Sequence, residues 1–253
     1  MDKALKSVLE WWDAAGVDVP EVRLSTPRRK ATPPASQPQS AQKKAAPPTN
    51  SPSSKPIMDA APIAAKAKTL AELKASMDKF DAGALSDAAR QCVFARGNPE
   101  ADLMVIGEAP GRDEDITGKP FVGRSGQLLD KMLASIGLTE DDFYITNVVN
   151  WRPPKNRNPT ADEIDMCRPF LDRHIELAAP KVLLIVGGVS LSAMTGLTGI
   201  MKQRGQWQSV TAAGVEIPAL PIYHPAFLLR QPVLKKDAWR DLLALREQLN
   251  PTK

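Results

Sequence analysis

The chain has 253 residues, 43% of them hydrophobic, which is enough for one sizeable core and short of two. Its 33 Lys and Arg against 29 Asp and Glu leave a net charge of +4, compatible with an anionic partner such as nucleic acid and too small to argue for one. Two cysteines far apart, Cys92 and Cys167, exclude a disulfide framework and a cysteine-only zinc site, and the longest apolar run, 182–189, is far below the roughly 20 residues that span a bilayer.

The chain opens MDKALKSVLEWWD, which carries acids and lacks the apolar stretch of a signal peptide, so a cytoplasmic, reduced protein is expected. Leu5, Val8, Leu9 and Trp12 recur at helical spacing, predicting a short amphipathic helix within 1–20. A helix of that length is marginal by itself. It either docks on the rest of the chain or waits for a protein partner, with Trp11 and Trp12 as anchors. Residues 21–66 read as a disordered linker: 25–66 hold nine Pro, nine Ala and six Ser, with no Gly and no aromatic residue.

From residue 67 to the end the texture is globular. Helical patterns at 70–80, 126–136, 161–178, 190–194 and 238–249 alternate with apolar runs at 103–106, 143–149, 182–186 and 217–222. Strands joined by crossover helices predict a mostly parallel, four-stranded sheet in a three-layer α/β/α sandwich. Ligands bind such sheets at the carboxyl ends of the strands, where four motifs fall.

After the first strand comes GEAPGRDED and then GKPFVG. The Gly and Pro of this loop, Gly107, Pro110 and Gly111 around Ala109, permit close approach of a flat or anionic ligand, although such Gly-Pro loops are also common surface turns. After the second strand comes TNVVNW and then RPPKNRNP. Asn147 presents a donor and an acceptor suited to a base edge, or simply tethers a loop. Arg152, Pro153, Pro154, Asn156 and Arg157 form a rigid basic loop suited to a phosphate backbone, or a solvated face. Gly187, Gly188 and Ser190 make a glycine turn into a helix, whose N–H groups could hold a phosphate. The last motif, YHPAFLLRQP, sets His224 and Pro225 before an apolar tip, Leu228 and Leu229, with Arg230 adjoining; such a tip resembles a wedge entering a base stack. His174, inside a predicted helix, has no such context and is read as structural.

Taken in order, GEAPGRDEDITGKPFVGRSGQLL, TNVVNWRPPKNRNP and HPAFLLR resemble the family 4 uracil-DNA glycosylases over roughly 78–249. The resemblance implies an α/β/α sandwich and hydrolysis of the bond between deoxyribose and uracil in single- or double-stranded DNA. The base is flipped out, free uracil is released and an abasic site is left without strand cleavage. It implies that His224 holds the developing uracil anion, Phe121 stacks on the base, and Asn147 pairs with it. Glu108 and Glu114 remain as candidates for the water, or, for Glu114, for excluding the thymine methyl.

Members of the family normally hold a [4Fe–4S] cluster on four cysteines. Here the corresponding positions are Phe80, Gly83 and Trp151, and only Cys167 remains, so no cluster, metal or other cofactor is expected. The basic loop with a reactive His that marks covalently trapping relatives is missing between Asn147 and Cys167. A monomer is expected. The competing reading is a catalytically quiet module that binds uracil-containing or single-stranded DNA with the same pocket.

Charge divides unevenly. Residues 1–66 carry 10 Lys and Arg against 6 Asp and Glu, leaving 23 of each for 67–253. DNA affinity in the neutral globular part must come from segregated charge.

Overall fold

The computed structural model describes residues 59–212 and 214–250; the predicted helix within 1–20 and the linker up to 58 lie outside them. The first described element is a helix, α1 (Ala60–Lys66), inside the stretch read as linker. Asp59 caps it by accepting the Ala61 N–H, and its Ala60 and Ala64 are buried. Its small side chains let it pack closely on a later helix, so tertiary contact makes a helix of a sequence whose composition reads as a spacer.

In chain order there follow α2 (Leu70–Met77), α3 (Ala84–Ala88), β1 (Arg96–Gly97), β2 (Leu103–Gly107), α4 (Arg112–Thr117), α5 (Arg124–Ser135), β3 (Phe143–Asn147), α6 (Ala161–Ala178) and β4 (Val182–Val186). Then come α7 (Gly188–Thr195), α8 (Ile200–Gln203), β5 (Gln208–Ala212), β6 (Val215–Ile222), α9 (Pro225–Arg230) and α10 (Lys235–Leu249). The strands lie in the order β1-β3-β2-β4-β6-β5. The four inner strands are parallel, as expected, and two antiparallel edge strands that the sequence reading lacks, β1 and β5, extend the sheet to six.

The inner strands are apolar along their length because both faces are covered. Alternate residues feed two cores. Met104, Ile106, Tyr144, Leu183 and Ile185 face helices α1, α2, α6 and α7. Leu103, Val105, Ile145, Leu184 and Leu220 face α5, α9 and α10. Register is fixed by pairs such as Val105 with Ile145 on one side and Leu184 on the other. Helix α6 starts at a capping box, in which Thr160 accepts the Glu163 N–H and the Glu163 carboxylate accepts the Thr160 N–H.

The chain leaves β2 for β3 on one side and later places β4 on the other. The carboxyl ends of β2, β3 and β4 therefore meet at a topological switch point, where a ligand crevice is expected.

Candidate active site

A cavity of about 750 Å³ opens at that switch point. Glu108, Ala109 and Gly111 after β2, Glu114 on α4, Phe121, Asn147 at the end of β3, and His224 after β6 all line it. So do Pro153, Asn156, Arg157 and Arg230. Gly107 lies just behind. A Cβ there would sit 2.3 Å from Asn147 Oδ1 and 2.4 Å from the Phe121 ring, so only glycine lets the amide and the ring meet over the end of β2.

Asn147 is 2% exposed, and its side-chain amide makes no hydrogen bond to any described residue. A buried amide without partners costs about 1–3 kcal/mol. Few buried polar groups are left so, and one that lines a cavity is poised for a ligand. Glu108, half-buried, is similarly placed. Its backbone carbonyl accepts the Val149 N–H, tying the loop to the segment after β3, while its carboxylate has no hydrogen-bond partner among the described residues. Burial holds the Glu108 carboxyl above the usual carboxylate range.

His224 is the N-cap of α9, and its Nδ1 accepts the Ala226 N–H at 3.1 Å. That bond places the proton of the neutral ring on Nε2, which is left as a donor. Burial, reinforced by the Arg230 charge and opposed by Glu114, pushes the imidazole pKa down to about 4, so the ring is neutral near pH 7. It stacks near Phe121, with 5.9 Å between centroids. Gly187, at φ +95°, lets the turn after β4 pass behind it; a Cβ there would lie 3.1 Å from the His224 Cβ.

Four sequence-based assignments change. Glu114 is not free to activate water: its carboxylate accepts the N–H groups of Gly111, Val122 and Gly123 at 2.9–3.1 Å, clamping the two halves of the first motif together. Ser190 is fully buried, and its hydroxyl donates to the Val186 carbonyl, so of this residue only the backbone N–H, not the side chain, is left for a phosphate. Leu228 is buried in the core beneath α9, and Pro225 is buried too, leaving Leu229, 38% exposed, and the exposed Arg230 as the only protruding tip there. In the basic loop, Arg157 is held bidentate by Glu163, and Arg152 bonds Asn156 and faces Asp115 at 3.7 Å. Those two charges are largely neutralised within the protein. Pro154 and Gly188 lie outside the cavity lining.

Sequence reasoning passed over two cations. Arg112 and Arg124 line the cavity and form no ion pair with any described residue. Each is the first residue of its helix, the end where the helix dipole disfavours positive charge. For Arg124 the available signal was a cation opening a helix with no acid in its first turn, whereas Arg112, followed by Asp113, Glu114 and Asp115, gave none.

On the opposite face, the positions corresponding to cluster cysteines form an aromatic plug. Phe80 packs against Trp151 at 6.0 Å and edge-on against Phe170 at 4.9 Å, all three buried, with Cys167 fully buried in the same core. Burial raises the Cys167 thiol to about 12, as for a thiol in an apolar core. Among the described residues no group of three or more His, Cys, Asp or Glu could hold a metal. The residues present do not fit a four-thiolate cluster.

Residues 94–243 match the model of the Uracil DNA glycosylase superfamily. Relatives named type-4 uracil-DNA glycosylase come from Archaeoglobus fulgidus, Saccharolobus solfataricus and Sulfurisphaera tokodaii, at 41%, 38% and 43% identity. The matches cover 60%, 69% and 61% of this chain and 78%, 88% and 73% of those proteins, respectively. With the match reaching from β1 into α10 and so enclosing the whole cavity, the chain belongs to the uracil DNA glycosylase superfamily.

Proposed function

We propose that this protein is a uracil-DNA glycosylase, which hydrolyses the bond joining uracil to deoxyribose in DNA and leaves an abasic site. The observation that carries the reading is the buried, unpartnered amide of Asn147 at the wall of the cavity. Its Oδ1 accepts the uracil N3–H and its Nδ2 donates to O4. Cytosine presents the inverted pattern and would leave both groups unpaired, a strong basis for rejection. Phe121 stacks on the flipped ring.

As the glycosidic bond breaks, the sugar gains positive and the base negative charge. The Nε2–H of neutral His224 donates to uracil O2, where that negative charge collects. Glu108, the unpartnered carboxylate, holds the attacking water and faces the cationic sugar. Arg112, Arg124 and Arg230 supply the unneutralised charge that draws the DNA backbone to the cavity mouth, and Leu229 takes the place of the extruded base. The protein works without an iron–sulfur cluster, as a monomer.

The test is incubation with a uracil-containing oligonucleotide followed by hot alkali. Strand scission at the uracil site, with free uracil in the supernatant, is expected. An unchanged oligonucleotide bound with uracil-dependent affinity would favour the quiet binding module, and an alkali-stable shifted band would indicate covalent trapping. Purified protein is expected to carry no stoichiometric iron or sulfide, even after chemical reconstitution.

A further inference from the structure

Phe121, the ring assigned to stack on the base, sits on an unusual backbone. Its φ is +55°, in the left-handed region that a bulky side chain rarely adopts and that persists only where the surroundings impose it. On the cavity side, Glu114 imposes it by accepting the N–H groups of Val122 and Gly123. From behind, α5 leaves no slack, because a Cβ on Gly126 would fall 1.7 Å from the Phe121 carbonyl oxygen.

The remaining hold comes from a residue outside every motif. Arg96, in the two-residue strand β1, donates from Nε to the Pro120 carbonyl at 2.9 Å and from Nη2 to the Phe121 carbonyl at 3.3 Å. Its side chain is 8% exposed, lies over the Phe143 ring, and is balanced by Asp130 on α5 and by Glu140 at 3.3 Å. A planar fork bonding two successive carbonyls fixes both the position and the tilt of the peptide between them, which a point charge cannot do.

We propose that Arg96 is a positioning residue for base stacking: it locks the 120–121 turn from behind and so sets the height of the Phe121 ring over the flipped uracil. It touches neither substrate nor reacting atoms and acts only through that ring. The inference rests on the glycosylase reading above.

The experiment is a double-mutant cycle in the full chain, comparing wild type, Arg96→Gln, Phe121→Leu and the double variant. The readouts are the single-turnover rate on a uracil oligonucleotide and the inhibition constant of free uracil. Arg96→Gln is expected to slow the rate about 10-fold and to weaken uracil inhibition similarly, within the range of a lost base–aromatic stack. In the Phe121→Leu background the same change is expected to add less than about twofold, since the ring it serves is gone. Losses that multiply would overturn the proposal.

Arg96→Lys keeps the cation between Asp130 and Glu140 without the fork, and serves if Arg96→Gln does not fold. It is expected to melt near wild type and still to lose part of both readouts, the loss again vanishing without Phe121. Full activity in Arg96→Lys would overturn the proposal, because charge alone would then suffice. A wild-type protein that releases no uracil would instead strike the glycosylase reading beneath it.

Discussion

Asn147 and Asn150 stand three residues apart in one segment, each 2% exposed, and their surroundings are opposite in kind. Asn150 Nδ2 is fully engaged, donating to the carbonyls of Val93 and Phe94 and to Thr146 Oγ1 at 2.9–3.3 Å. The Asn147 side chain has no hydrogen-bond partner among the described residues. The segment between them carries the chain from the cavity wall into the aromatic plug around Trp151. There His174 is likewise engaged, its Nε2 bonded to the Tyr144 hydroxyl at 3.0 Å and its ring stacked on Phe94 at 4.3 Å. The polar side chains on the plug side are engaged in bonds that hold the fold together. Those on the cavity side are held in place by the fold but left unsatisfied, which costs stability and is explained only by a ligand that completes them.

The sharpest way to break that contrast is to remove each amide. Asn147→Ala is expected to lower the single-turnover rate on uracil DNA on the order of 10³-fold, since a site built to pair with polar groups loses most when that pairing goes. Its melting temperature should stay level or rise, because an unpaired buried amide is gone. Asn150→Ala should do the reverse, taking the side-chain donor from the Val93 carbonyl while Phe94 keeps that of Thr146, and costing about 1–3 kcal/mol by denaturant melt. A loss of stability in Asn147→Ala equal to that in Asn150→Ala would remove the distinction.

The two histidines sharpen the contrast through pH. Burial holds His174 at about 3 and His224 at about 4, below the ordinary value near 6.5. Between those values the unfolded chain binds protons that the folded chain refuses. Stability is therefore complete above pH 6.5 and falls as pH drops toward 4, a slope that urea melts at pH 7 and 5 would show. Only His224 should also appear in catalysis. His224→Gln is expected to cost about 10²- to 10³-fold in rate. The acid limb of the wild-type profile should report Glu108, whose burial raises its pKa and which must be ionised to hold the water; Glu108→Gln should abolish that limb. A limb that survives in Glu108→Gln would move the water to another group.

Trp151 tests the plug alone. Trp151→Ala should cost about 3–5 kcal/mol of stability by opening a cavity against Phe80, and the rate well below its melting temperature should stay near wild type. A rate loss as large as that of Asn147→Ala would show that the plug reaches into the site.

What could be read from the sequence follows the same division. The inner strands were legible because Leu103–Gly107 and Val182–Val186 are continuous apolar runs, buried on both faces. The edge strands were not. β1 is an Arg-Gly pair, and β5 buries only Val210 and Ala212, so each exists through pairing with a neighbour rather than through its own pattern. Asn147, His224 and Glu108 stood out because they occupy strand ends, and Phe121, between α4 and α5, only through the motif that resembles the glycosylase family. The clamp at Glu114 could not be read, because its partners are backbone N–H groups that any residues would supply. Leu228 and Leu229, adjacent on a helix, point to different faces, and only the seating of α9 shows which one is buried.

The smallest expected effect lies at the mouth of the cavity, where the comparison becomes one between neutralised and free cations. Arg157 is bound bidentate to Glu163, at 2.6 and 2.7 Å, whereas Arg112 and Arg124 have no acidic partner among the described residues. A phosphate contact by a free arginine releases a condensed counterion on binding, while an arginine already paired must first give up its carboxylate. Arg124→Ala or Arg112→Ala should each weaken DNA binding and reduce the slope of log affinity against log salt by roughly one. The single-turnover rate at saturating enzyme should hold if, as proposed, these groups contact the DNA backbone and not the glycosidic bond. Arg157→Ala should leave the slope unchanged and cost a little stability by releasing Glu163 at the start of α6. If the salt slope fell for Arg157→Ala and not for Arg124→Ala, the basic loop would be the DNA contact and the helix starts would not.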